Sequence, residues 1–207
     1  MKFRASPRPA ELGNDDFTLA RRARDGDLGA FDQLVNRHQD RIFSLCLWVT
    51  GDRDEAADAA QDAFIRAFRF LPKFREEAAF GTWIARIALN VARDAAKRGK
   101  RQPAPFSTVL AEDESFDPPA DLPTSEDRMV RRERQDAVRL ALAGLPEPQR
   151  VIVVLFDLQG ASYEEAAKIL NLPLGTVKSR LNRARAALKS ALEPHRELFE
   201  GDGPSRT

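Results

Sequence analysis

Five cations and no acid fall between Lys178 and Lys189, interleaved with Ser179 and Asn182. Arginine and lysine side chains at this density hold phosphates and bond guanine edges, and the short polar side chains among them add adaptable contacts to bases. A second basic series, Arg86, Asn90, Arg93, Lys97 and Arg98, runs on into Lys100 and Arg101. It lies close in sequence to Phe74, Phe80 and Trp83, rings of the kind on which unpaired bases stack. A third group, Asp58, Gln61, Asp62 and Ile65, sets an apolar side chain among acids and an amide, a mixture that suits docking on a basic partner. Each group has a plain alternative. The charge runs and the acidic strip can be solvated surface; Phe80 and Trp83 read better as core than as stacking surfaces, and Phe74 is open either way.

The rest of the composition bounds the chemistry. A net charge of +1 over 207 residues conceals segregation, because residues 112–127 hold seven acids and no base. The one cysteine, Cys46, allows no internal disulfide, fits a reducing compartment, and sits among Leu45, Leu47 and Trp48 as a packed thiol would. His38 and His195 have no Cys or His at ligand spacing, so no metal site is expected. With no glycine-rich phosphate loop and no nucleophile motif, no cofactor, no small-molecule substrate and no enzymatic activity are expected. The longest purely apolar run, Val151 to Phe156, is too short to span a bilayer, and no secretory leader is read at the N-terminus. A cytoplasmic protein is expected.

All the elements that must position these groups read as helices. The cationic stripe belongs to a helix starting near Gly175, whose other side carries Val177, Leu181, Ala184, Leu188 and Leu192. Before it, Ser162 with Glu165 three residues on is a capping-box start, and Asn171, Leu172 and Pro173 end that shorter helix. Helix, tight turn and basic helix is the arrangement in which the first helix braces against the duplex and the second enters the major groove. Upstream, the pattern predicts helices from Asp15 to the break at 25–27, from about Phe31 to Gly51, over Asp54 to Leu71 with Phe68 on the buried side, and from Phe80 through Arg98. Residues 73–79 read as a loop. After the proline-rich segment, a helix from Thr124 or Ser125 to Gly144 and another over Glu147 to Leu158 precede the helix-turn-helix.

The predicted fold is therefore all-α. Two small helical domains are expected: 15–101 as a helix bundle and 128–193 as a helix-turn-helix domain. A loose N-terminal arm (1–14), an acidic proline-rich linker (102–127) and a flexible tail (194–207) complete the division.

Three blocks in order resemble the extracytoplasmic-function (ECF) group of the sigma-70 family of RNA polymerase sigma factors. DAAQDAFIRAF at Asp58 to Phe68 is similar to the family's polymerase-binding block, and FGTWIARIALNVARD at Phe80 to Asp94 to the block that opens and reads the −10 element. Leu145 to Leu188 is similar to the domain that reads the −35 element. The resemblance spans about residues 15–192. It implies a sigma-2-like domain, a sigma-4-like domain, and roles for particular residues. Asp58, Gln61, Asp62 and Ile65 would dock on a coiled coil of the largest polymerase subunit; the flap region of the polymerase is a further implied partner surface, to which no residue is assigned. Phe74, Arg75 and Asn90 would form the pocket for a base flipped from the non-template strand, and Arg93, Lys97 and Arg98 would hold phosphates near the opening bubble. Lys178, Ser179, Arg180, Asn182 and Arg183 would read the −35 element. Asn182 stands where relatives vary widely, so the promoter sequence does not carry over. The resemblance also implies an anti-sigma partner, often membrane-anchored, that would hold the protein at the inner membrane face until activation frees it for the nucleoid. A stand-alone helix-turn-helix regulator is the alternative, for which Ser162 to Leu192 alone would suffice.

Overall fold

A computed structural model describes residues 9–98 and 125–200. Every described element is helical. The first bundle comprises α1 (Pro9–Arg24), α2 (Leu28–Thr50), α3 (Arg53–Phe70) and α4 (Phe80–Arg98), with a 3-10 turn at Leu71–Lys73. The second comprises α5 (Ser125–Ala143), α6 (Glu147–Val153), α7 (Tyr163–Leu170) and α8 (Leu174–Leu192), followed by a 3-10 turn at Glu193–His195 and a short turn of helix at Glu197–Glu200.

Local chemistry sets the boundaries. Asp27 caps α2 by accepting from the Ala30 amide, and Gly51, at φ 73°, closes it in a left-handed conformation that glycine adopts without strain. Asp52 caps α3 by accepting from the Glu55 amide. The capping box at α7 is complete: Ser162 Oγ accepts from the Glu165 amide at 3.1 Å, and the Glu165 carboxylate accepts from the Ser162 amide at 2.8 Å. Asn171, at φ 53°, ends that helix and Pro173 opens the next. Beyond α6 the ladder widens into a π turn at Val154–Leu158, in which the Gln159 amide donates to the Val154 carbonyl five residues back.

Leu34, Ile42, Leu45, Phe80, Ile84 and Leu89 are fully buried at the centre of the first bundle, and Leu142, Val151, Ile152, Leu155 and Leu181 at that of the second. Each such side chain contributes about 1.5–3 kcal/mol of transfer free energy. Cys46 lies inside the first core, and burial pushes its thiol up to about 12.

Three expectations need correction. The arm over 1–14 is helical from Pro9 onward, a position where proline's missing N–H costs nothing; residues 1–8 lie outside the described part. Residues 102–124 of the expected linker lie outside the described part, and α5 begins at Ser125, where the sequence places a helix start. The expected tail is structured to residue 200, with Arg134 on α5 donating to the Leu198 carbonyl. Phe68, expected on the buried side of α3, is 42 % exposed, because it lies edge-on to Phe31 along an open groove between α2 and α3.

The two bundles pack against each other. Helix α7 lies on α4, and α6 with its π turn on α2. At this seam Arg41 Nε donates to Gln159 Oε1 and Gln159 Nε2 donates back to the Arg41 carbonyl, both at 3.1 Å. Arg93 pairs with Glu147 at 3.0 Å, and Lys168 Nζ donates to the Glu77 carbonyl at 2.8 Å.

Candidate nucleic-acid interface

Helix α8 divides cleanly. Val177, Leu181 and Ala184 are completely buried against the second core, which turns Lys178, Ser179, Asn182 and Arg183 outward, all exposed. Arg180 is half-buried at the edge of that face. The Lys178 ammonium lies 5.5 Å from the centre of the Tyr163 ring, so a residue of the bracing helix steadies one of the recognition helix. Ser179 Oγ donates to the Thr176 carbonyl and Arg183 Nε, at 3.4 Å, to the Ser179 carbonyl, which folds both side chains along the helix. Arg185 leaves the cationic stripe: its guanidinium pairs with Asp157, which holds its pKa above the usual value.

On α4, Asn90, Lys97 and Arg98 are exposed, and Arg98 Nε donates to the Asp94 carbonyl. Arg93 is different. It is half-buried, and its ion pair with Glu147 commits it to the second bundle rather than to solvent. Arg86 is exposed beside Lys168, Asn171 and Pro173, where a small cleft separates α4 from the turn between α7 and α8.

Phe74 is not a stacking surface in this structure. The 3-10 turn carries it inward to 7 % exposure, among Phe17 (centroids 6.2 Å apart), Trp83 (4.9 Å) and Phe80 (5.9 Å). Asn90 stands seven residues beyond Trp83, about 10 Å along α4. The expected shared pocket of Phe74 and Asn90 is therefore not assembled; of the three residues expected there, Arg75 and Asn90 present exposed side chains.

The acid and apolar strip on α3 is displayed as expected. Asp58 and Gln61 are exposed and Ile65 is 44 % exposed. Asp62 is half-buried and pairs with Arg66 one turn on, at 2.8 Å. Beneath this strip runs an open groove of about 700 Å³ between α2 and α3, lined by Phe31, Val35, Phe43, Gln61, Phe64, Ile65 and Phe68 among others. Sequence reasoning named Gln61 and Ile65 but missed the groove, because one of its walls comes from α2. The seam pairs were missed too, since nothing local to Arg41 or Glu147 signals a partner so distant in the chain.

Among the described residues no group of three or more potential ligands could hold a metal ion, and no helix is long and apolar enough to cross a membrane. A helix-turn-helix whose second helix has a basic outer face, carried beside a bundle that displays an acid and apolar strip, is the arrangement of a DNA-binding protein. Residues 34–102 match the family described as Sigma-70 region 2, and residues 135–188 the one described as Sigma-70, region 4. The RNA polymerase sigma-H factor of Pseudomonas aeruginosa is 41 % identical over 184 residues, covering 86 % of this chain and 94 % of that protein. The ECF RNA polymerase sigma-E factor of Haemophilus influenzae is 37 % identical over 86 % of this chain and 96 % of its own length. Among solved structures, CnrH in complex with the cytosolic domain of CnrY superposes with a TM-score of 0.63 at 27 % identity, over 91 % of this chain and 99 % of that one. The Bartonella quintana sigma factor RpoE in complex with the anti-sigma factor NepR gives 0.56 at 26 % identity, over 84 % and 98 %.

The chain belongs to the ECF group of the sigma-70 family and directs transcription initiation. It is not an enzyme; like other sigma factors it acts by binding core RNA polymerase and promoter DNA.

Proposed function

We propose that α8 reads the −35 element through Lys178, Ser179, Arg180, Asn182 and Arg183, with α7 bracing the duplex. Exposed polar side chains at the start of a helix whose other face is locked into a core are placed as major-groove readers are. That division of α8 is the observation on which the assignment rests. Asn90 and Arg75 act at the −10 element, and Lys97 and Arg98 hold phosphates beside the melted strand. The strip Asp58, Gln61, Asp62 and Ile65, with the groove beneath it, takes a helical element of core polymerase: the apolar floor supplies burial and the acids select a basic face.

Elements near −35 and −10 lie about 25 base pairs apart, roughly 85 Å along straight B-form DNA. With α7 lying on α4, the two reading helices cannot sit on both at once. Initiation therefore requires the seam to open, which frees Arg93 from Glu147 for a phosphate. Clamping both domains on one polymerase then makes the second DNA contact effectively intramolecular. The structural relatives bound to CnrY and NepR support control by an anti-sigma factor that occupies polymerase-facing surfaces of the closed form. The protein then acts in the cytoplasm, at the nucleoid when active and at the inner membrane face where its inhibitor is anchored there.

The test is in-vitro transcription with added core polymerase on genomic fragments. Initiation at discrete start sites sharing a two-part motif is expected; its absence with no inhibitor present overturns the assignment. Tight, specific duplex binding without polymerase in a gel shift would favour the stand-alone regulator.

A further inference from the structure

The loop between the 3-10 turn and α4 is gripped from α1 at two points. Phe17 stacks on Phe74 with ring planes 18° apart. One turn further along α1, Arg21 holds Glu76 with two parallel bonds, Nε to Oε1 at 2.8 Å and Nη2 to Oε2 at 2.6 Å. Positions i and i+4 lie on one helical face, so α1 offers the loop one ring and one guanidinium side by side. The second grip is matched to an unusual backbone: Glu76 sits at φ 58°, a left-handed conformation in which a glutamate is uncommon and which persists where the surroundings enforce it. Between the two anchored residues stands Arg75, exposed and without an ion pair among the described residues. Burying Phe74 and tethering Glu76 leaves Arg75 as the outward apex of the loop.

We propose that Arg21 is a positioning residue for −10 recognition: it touches no DNA, but by holding Glu76 in its left-handed conformation it sets where Arg75 meets the promoter. A bidentate guanidinium–carboxylate pair is suited to this, because it fixes orientation as well as distance, which a lysine would not. Both partners are partly exposed, so the pair acts through geometry and not through bulk stability. The proposal rests on the assignment of this loop and α4 to the −10 element, and predicts that α1, outside the reading helices, tunes base preference there.

The test uses the full chain with core polymerase and a fork-junction DNA carrying a −10 sequence mapped from run-off transcription of genomic fragments, together with single-base variants of it. Arg21→Glu and Glu76→Arg are each expected to reduce discrimination among these DNAs about two- to fivefold, the range an exposed ion pair can supply, with polymerase affinity and thermal midpoint unchanged. The double charge swap R21E/E76R should restore most of it, whereas Arg21→Lys should not. The mobility of a spin label on exposed Glu77→Cys should rise in each single variant and fall again in the swap, a readout that needs no promoter. Native discrimination in Arg21→Glu, or a double swap no better than the singles, overturns the proposal. Arg75→Ala and Asn90→Ala separate this failure from failure of the underlying assignment: if they also leave discrimination untouched, the loop does not read the −10 element at all.

Discussion

Replacing Gln159 by alanine should loosen the two domains from each other without unfolding either. Its amide exchanges two hydrogen bonds with Arg41 across the seam, both at 3.1 Å. Arg41 is a demanding partner: Nη2 is buried with no hydrogen-bond partner among the described residues, and desolvation lowers the pKa of the guanidinium. Removing the acceptor of a charged donor costs about 1.5–3 kcal/mol, which corresponds to about a ten- to 150-fold rise in the ratio of open to closed chains. Single-molecule energy transfer between dyes on Gln33→Cys in α2 and Ser190→Cys in α8, both exposed positions, reads that ratio directly. Arg41→Ala should be milder than Gln159→Ala, because it deletes the desolvated cation along with the bond. An unchanged ratio in Gln159→Ala, or an Arg41→Ala chain that opens more readily, would refute the account of the seam.

Other expectations are simpler. Ser162→Ala removes the acceptor that caps α7 and should destabilise the helix-turn-helix domain by about 1 kcal/mol, measured by urea unfolding. Arg183→Ala should weaken promoter use by about 1–3 kcal/mol and relax preference at one −35 position; unchanged preference in a selection from randomised sites would remove it from the interface. Asp62→Arg should lower association with core polymerase at least about tenfold by placing like charge against a basic partner. Because its present partner, Arg66, is half exposed, that substitution should leave the thermal midpoint where it was.

What could be read from the sequence was what is encoded within a turn or two of chain. The capping box at Ser162, the stop at Gly51, the break at Asn171 to Pro173 and the buried side of α8 all follow from contacts between residues a few positions apart. The −35 face was legible for the same reason: once Val177, Leu181 and Ala184 go inward, Lys178, Asn182 and Arg183 must face out. Phe74 was not, since whether a loop aromatic stacks on a ligand or on its own core depends on Phe17, which reaches it from another helix. Arg93 was read as a free cation because Glu147 lies 54 residues away, and Arg41 and Gln159 are 118 apart. The π turn escaped notice for a different reason: Val151 to Leu158 is apolar enough to satisfy either helical period, and the bond from Gln159 to the Val154 carbonyl, five residues back, reveals the wider one.

The protein's one sulfhydryl, sealed inside the first bundle, has a practical consequence. Held in its protonated form, Cys46 should ignore maleimides and disulfide reagents for as long as the bundle stays intact. Fluorophores can therefore be attached to introduced surface cysteines with the native residue left in place, and any label it does acquire would mark chains whose interior had come apart, an internal alarm distinguishing domains that merely swing apart from a bundle that has melted.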